Sequence, residues 1–375
     1  MSRVLLIGTI ETKRAELAAL AAALTGHGLR VCPIDISLGA GGAVLQSEVK
    51  LSRMQEKGQQ AATEAAAQAD GCLAAVALGG GTGGELAVSV LQALPPDVPK
   101  VLVTTLAFDP RLAVADCGIV LVPTTCDIEG VNTMLLGVFE ATAAMVAGLA
   151  QARPVMPSGR RAIAVSTLGA TGAAGSAVIS ALSDRGAEAT VFHANGCGGA
   201  AFARFLREGR ADGIIDLNVH ELGRMRIAGL CAPMPDRFTA GGHLPRIVLP
   251  GALNFLGLGA PETLGADHRA RPHYRHTGNF THVALTEDEM ADQAAALSDA
   301  LNTASGPTHV LIPMGGFSHE DRPGGAIENP RLRALAAEVL ETSARAYGVT
   351  RLPYHINAPE TADAAVEALF HRMPK

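Results

Sequence analysis

The sequence predicts an α/β protein built as two doubly wound, Rossmann-like parallel-sheet domains in tandem. Three observations carry this. Short apolar runs alternate with stretches of helical apolar spacing along the whole chain. Most runs end in glycine, threonine, asparagine or aspartate, as strands do where they turn into helices. The alternation pauses once, at residues 151–158, where two prolines and few core-forming side chains mark a linker. That places one domain at residues 1–155 and a second at 160–375.

Residues 4–7 form the first strand. Gly8-Thr9-Ile10-Glu11-Thr12-Lys13 then turns into a helix running to about residue 24, with Thr9 or Thr12 as its cap and Glu11 in its first turn. Open α/β sheets bind ligands at the carboxyl ends of their strands. Lys13 is therefore a candidate phosphate partner, and Glu11 a candidate for a metal or a ribose. Residues 29–36 form the second strand, ending near Asp35, an acid placed to accept from a ribose. A glycine-rich loop covers 37–42, and a helix rich in Ala and Gln covers 52–69.

The strand at 73–78 leads into Gly79-Gly80-Gly81-Thr82-Gly83-Gly84, and a helix follows over 85–94. Strand, glycine loop and helix start in that order make an anion site: the glycines bring backbone N–H groups close to a ligand, and the helix adds partial positive charge. A phosphate or a carboxylate fits there. The loop lacks the Gly-Lys-Ser/Thr of a P-loop and the GxGxxG of a dinucleotide fold. Residues 100–105 form a strand ending on Thr104 and Thr105, and 119–122 a further one. Cys126-Asp127-Ile128-Glu129-Gly130-Val131-Asn132 opens a long apolar helix through residue 149.

The second half repeats the plan without repeating the letters. Strands at 162–167, 188–193, 213–217, 246–250 and 308–313 each end on glycine or polar residues. These ends include Gly169-Ala170-Thr171, His193-Ala194-Asn195-Gly196-Cys197-Gly198-Gly199 and Gly315-Gly316-Phe317-Ser318. Of 12 histidines, only His27 precedes His193. Several near strand ends, with Asp216 and Glu221, are candidates for acid–base or metal chemistry, although no HxH or HExxH spacing points to zinc.

Composition narrows the partners. With 48% hydrophobic and 18% charged residues, 375 residues build a large core. Aromatics at 3%, no Trp and a net charge of −6 argue against a nucleic-acid platform. No apolar run reads as long enough to span a membrane, and Ser2-Arg3 leads straight into a strand and not a signal peptide. These features predict a cytoplasmic protein with neither nucleic-acid nor membrane partners. Six scattered cysteines without a CxxC pair read as free, mostly buried thiols.

Taken together, the motifs resemble a family of uncharacterised bacterial and fungal proteins that share a domain with the tomato mosaic virus resistance protein of plants. The resemblance rests on Gly8-Thr9, Glu11-Thr12-Lys13 and Glu16, on the glycine loop with Thr82, and on Asp127-Ile128-Glu129-Gly130-Val131-Asn132. In the second half it rests on Val191 to Gly199, Pro250-Gly251-Ala252-Leu253-Asn254, His276, and Gly315 to Ser318 with Asp321. It implies a two-domain α/β fold with ATP and Mg²⁺ on the first domain, and self-association, a dimer first.

Three functions compete. In the first, the chain binds ATP as an effector or a slowly turned-over ligand. The phosphates would lie on Gly79, Gly80, Gly81, Thr82 and Gly83 near Lys13. Glu11 or Asp127 would contact Mg²⁺ through waters. Thr9, Thr12, Asp35, Thr105, Gly130 and Asn132 would complete the site. In the second, it is a hydrolase or carbon–carbon lyase acting on a small anionic acyl or keto-acid metabolite, in the second domain or between domains. His193, Glu221 and His276 would be its catalytic groups, and Gly196 to Gly199 would hold the substrate's anion. The third, an interaction protein, lacks an aromatic hot-spot patch.

Overall fold

The structure is a computed structural model and describes residues 2–41, 43–152 and 155–374. Gly42 of the glycine-rich loop and Arg153 and Pro154 of the linker lie outside the described residues. The chain divides into two compact units, Met1–Met156 and Pro157–Lys375.

In the first unit, β1 (Arg3–Gly8), α1 (Ile10–Gly26), β2 (Arg30–Asp35), α2 (Ser47–Ala67), β3 (Cys72–Leu78), α3 (Gly81–Ala93), β4 (Lys100–Thr104), α4 (Pro110–Ala113), β5 (Ile119–Pro123) and α5 (Thr133–Gly148) follow in order. The five strands form one parallel sheet in the order β2-β1-β3-β4-β5. Alternation along β1 shows why helices cover both faces. Val4 and Leu6 pack with Leu17, Leu20, Leu135 and Phe139 of α1 and α5. Leu5 and Ile7 pack with Ala61, Ala65, Leu86 and Val90 of α2 and α3. A strand buried on both faces reads as a continuous apolar run.

In the second unit come β6 (Arg161–Thr167), α6 (Gly172–Asp184), β7 (Ala187–His193), α7 (Gly198–Arg207), β8 (Gly213–Asn218), α8 (Glu221–Arg226) and β9 (Arg246–Gly251). They are followed by β10 (Phe255–Leu258), α9 (Ala266–Ala270), β11 (His273–Thr277), β12 (Phe280–Ala284), α10 (Glu287–Leu301), β13 (Thr308–Pro313), α11 (Pro330–Thr342), β14 (Tyr347–Leu352) and α12 (Pro359–Arg372). Six parallel strands run β14-β13-β9-β8-β6-β7. Here α6 and α12 pack on one side of the sheet, α10 and α11 on another apolar cluster, and Phe202 and Phe205 of α7 on a third. The tandem parallel-sheet fold read from the sequence is therefore present.

Four differences from the sequence reading have physical causes. The helix placed at 85–94 begins at Gly81, so the glycine run is itself the first turn of α3. A small antiparallel sheet, β10-β12-β11, belongs to the second unit as well; β11 carries histidine, tyrosine and arginine, which hide a strand from an apolar-run reading, and β10 and β12 are only four and five residues long. The stretch Thr133–Gln151, α5 and the turn after it, is long and apolar enough to cross a membrane, with mean hydropathy 1.6 and 28% burial. Its Leu135, Phe139, Ala143 and Val146 form one buried stripe, three or four residues apart. All six cysteines are free, but only Cys117 is buried; the other five are half-buried.

Candidate functional site

In the first unit the strand order reverses at β1, which has β2 on one side and β3 on the other. Loops leaving the carboxyl ends of two such strands diverge and leave a crevice. A cavity of about 500 Å³ lies there, lined by Thr9, Glu11, Thr12 and Lys13 from the β1–α1 turn, Gly79 to Gly83, Thr105 and Asp127. Lys50 and an apolar wall that includes Leu38, Val44, Leu45 and Ile128 complete it.

The glycines divide by role. A Cβ on Gly79 would lie 2.5 Å from the Gly83 carbonyl carbon, and one on Gly84 would lie 2.7 Å from the Phe108 ring. Both are required by close packing. A Cβ on Gly81 meets nothing nearer than Ala107 at 3.9 Å. The N-cap of α3 is Gly80, which has no side chain to cap the helix. No side chain among the described residues accepts from the amides of Gly81, Thr82 or Gly83, while the Gly84 amide donates to the Gly80 carbonyl at 2.7 Å. These are the orphan donors every helix start leaves, with the dipole's positive end behind them. Leu106, just past β4, adopts φ 55° beside Thr105, a conformation side chains other than glycine rarely take.

Around this helix end the polar groups have defined partners. Glu11 accepts from the amides of Ala40 and Gly41, which pins the glycine-rich loop to α1. Lys13 leaves the helical conformation at φ −125°, ψ 34°, and its ammonium pairs with Glu129. That pairing holds the exposed Glu129 carboxyl below its usual range. The Thr12 hydroxyl donates to that of Thr9 at 2.9 Å.

Three predicted contributors have other tasks. Asp35 accepts from the amides of Ile10 at 3.1 Å and Ser37 at 3.0 Å. Against the upward push of burial, the bonds from Ser37 and Ile10 keep its carboxyl low. Asn132 caps α5 by accepting from Leu135 at 3.0 Å. Gly130, at φ 72°, gives its amide to buried Glu16 at 2.7 Å. None of the three lines the cavity. Lys50, in the first turn of α2, and Leu38, Val44 and Leu45, in the loop before it, were invisible as site residues in the sequence, because nothing local ties them to a strand end.

The second unit's glycine loop is built the other way. Arg237, Asp216 and Glu221 are fully buried. The Arg237 guanidinium makes two bonds to Asp216, at 2.8 and 2.9 Å, and one to Glu221 at 2.8 Å. It also stacks at 4.5 and 4.7 Å from the Phe202 and Phe238 rings. Glu221 Oε1 accepts from the amides of Gly196 at 3.0 Å and Gly199 at 2.9 Å. A Cβ on Gly199 would sit 2.0 Å from the Glu221 carboxylate. Glu221 is thus a saturated structural anchor and not an available acid or base, and the loop expected to hold a substrate's anion is already filled by it. His193 is exposed at the end of β7, and His276 is exposed on β11, where it stacks on His282 at 4.8 Å. No hydrogen bond or ion pair among the described residues joins any two of His193, Glu221 and His276. No group of three or more His, Cys, Asp or Glu among the described residues could hold a metal.

The sequence has relatives across its length. A protein of Mesorhizobium japonicum is 31% identical, matching 98% of this chain and 99% of its own. One from Rhizobium meliloti is 30% identical over 98% of each. The ToMV resistance protein Tm-1 of Solanum lycopersicum is 29% identical over 80% of this chain, a match that spans 41% of the plant protein. Among solved structures, the glycosyltransferase VinC in complex with DTDP overlaps 98% of this chain and 100% of its own at 11% identity. Its TM-score of 0.19 is too low to carry an argument. The N-terminal domain of the uncharacterised protein family UPF0261 matches residues 43–154 and its C-terminal domain residues 160–373, so the chain belongs to that family.

Proposed function

We propose that the first domain binds ATP with Mg²⁺, as an effector or a slowly turned-over ligand. One observation carries the reading: the amides of Gly81, Thr82 and Gly83 open a helix beside a cavity of about 500 Å³ and no side chain among the described residues accepts from them. Anions are favoured at such a helix start. Lys13 and Lys50 add two cations to the same walls, and Leu38, Val44 and Leu45 offer an apolar surface of the kind a base packs against. The donor set fits a magnesium nucleotide. Mg²⁺ keeps most of its waters and takes one or two carboxylates besides phosphate oxygens. Asp127 would supply that carboxylate, since Glu11 already holds the loop amides. Magnesium would neutralise phosphate charge; the chain's part is to orient the phosphates on α3. No lysine stands in a P-loop position, so fast hydrolysis is not part of the reading.

The reading also includes a cytoplasmic location and a homodimer. Exposed Met134, Leu136 and Met145 on α5 support self-association, and light scattering on the purified chain tests it. Calorimetric titration with ATP, with and without Mg²⁺, tests the nucleotide. Wild-type protein should bind, and Gly81→Asp should not, because its carboxylate would occupy the phosphate position. The open space at Gly81 lets that variant fold. Absence of binding by the wild-type chain sinks the nucleotide reading.

A further inference from the structure

The second domain buries polar atoms that its own fold leaves without partners, a costly arrangement unless something else supplies them. His220 follows β8 and is 1% exposed; Arg224, on α8, is 7% exposed; His282, on β12, is 4% exposed. His220 Nε2, Arg224 Nε and His282 Nδ1 have no hydrogen-bond partner among the described residues. They form one neighbourhood. The Phe255 ring stacks 4.1 Å from His282 and lies 4.6 Å from His220. Opposite His282, Gly257 leaves room for the others: a Cβ there would lie 2.5 Å from Arg224 Nη2 and 2.8 Å from His220 Nε2.

The chemistry of each atom is fixed by what surrounds it. Ala252 is fully buried at φ 54°, a left-handed backbone conformation. Its carbonyl lies 3.2 Å from His220 Nδ1. A carbonyl only accepts, so the proton of this neutral imidazole sits on Nδ1 and Nε2 presents a bare lone pair. Arg224 donates Nη1 to the Leu230 carbonyl at 3.1 Å and lies 5.4 Å from the Phe280 ring, but no carboxylate pairs with it among the described residues. Glu221 acts on it electrostatically but already bonds Arg237 and the Gly196 and Gly199 amides, so the buried guanidinium still has donors to offer an anion. A buried bare nitrogen calls for a donor. The same neighbourhood reaches solvent through Tyr274 and exposed His276, whose rings lie 6.0 and 4.8 Å from His282.

We propose that this cluster binds a small hydroxycarboxylate, with its carboxylate on Arg224 and its hydroxyl donating to His220 Nε2. The site is independent of the nucleotide reading and uses none of its residues. The test is calorimetric titration of the full chain with lactate and malate beside their deoxy partners propionate and succinate. At least one hydroxy acid should bind, its deoxy partner at least tenfold more weakly. Arg224→Gln should weaken that binding at least tenfold. No binding by any hydroxy acid, equal binding of a deoxy partner, or unchanged binding by a folded Arg224→Gln protein would each overturn the proposal. The wild-type comparison decides the matter even if the variant fails to fold.

Discussion

The two halves of this chain each place a glycine-rich turn between a strand and a helix, and they use it in opposite ways. At Gly79 to Gly84 the amides of Gly81, Thr82 and Gly83 meet no side-chain acceptor among the described residues and open beside a cavity. At Gly196 to Gly199 two amides are bound by the protein's own Glu221, which Arg237 and Asp216 hold in place. Glycine before a helix therefore announces backbone donors and nothing more. Whether a ligand is needed depends on whether the chain returns an anion of its own from elsewhere in sequence, here from 22 and 25 residues away.

The strongest way to break this contrast is to remove the cation from the self-filled loop. Arg237→Met leaves Asp216 and Glu221 buried and unpaired, and a broken buried pair costs about 3–5 kcal/mol. Chemical unfolding followed by circular dichroism should show the second domain's transition shifted by that amount. A change below about 1 kcal/mol would mean that the network is not what holds the loop.

Acid separates the halves next. Burial, with the charge of Arg224, pushes His220 down to about 3, and burial with the charge of His276 takes His282 to a similar value. Burial also lowers His309 and His355. All four lie in the second domain. The unfolded forms of His220 and His282 take a proton near pH 6.5, so between that point and about 3 the unfolded state binds more protons and stability falls as pH falls; His309 and His355 act in the same direction. The slope is on the order of 1.4 kcal/mol per pH unit for each neutral buried imidazole. Calorimetric scans at pH 7 and pH 5 should move the second domain's transition down and leave the ATP-stabilised transition in place. His282→Gln should flatten that dependence. Equal shifts of both transitions would contradict the assignment.

How much of this was legible depends on the range of the signal. Strand and helix order along residues 3–149 follows largely from local periodicity, but the strand order with its reversal at β1 is visible only in the fold, since a parallel doubly wound sheet admits more than one order. The sequence marks the β1–α1 turn and the glycine run each as a strand-end candidate, and the fold brings them to one cavity. Asp35, Gly130 and Asn132 resist the same reasoning, since an acid, a glycine and an asparagine at element ends serve as caps and turns as readily as contacts. Arg237 carries no local mark at all. Its loop, Met234-Pro235-Asp236-Arg237, reads as a solvated turn, and only the tertiary fold reveals that it closes over Glu221. The antiparallel strand β11 escapes because a strand of His, Tyr and Arg has no apolar run to announce it, and β12 because Thr281 and His282 interrupt its five residues.

The smallest effect sharpens the comparison most, because it concerns a residue that stands between the two modes. Lys13 borders the open helix end, yet its ammonium already has a carboxylate, Glu129. The Glu129 end of the pair is largely exposed and the Lys13 end half-buried, so removing it should leave the unfolding midpoint essentially in place. Lys13→Ala should nonetheless weaken ATP about tenfold, the loss expected for one charge-assisted hydrogen bond to phosphate. Glu129→Gln should do the opposite. It frees the ammonium from its internal anion, and titration should show ATP binding equal to wild type or a few-fold tighter. If Glu129→Gln weakens ATP instead, the carboxylate belongs to the ligand's surroundings and not to a placeholder for the phosphate. The first glycine loop would then be partly self-filled like the second, and the contrast between the halves would become one of degree.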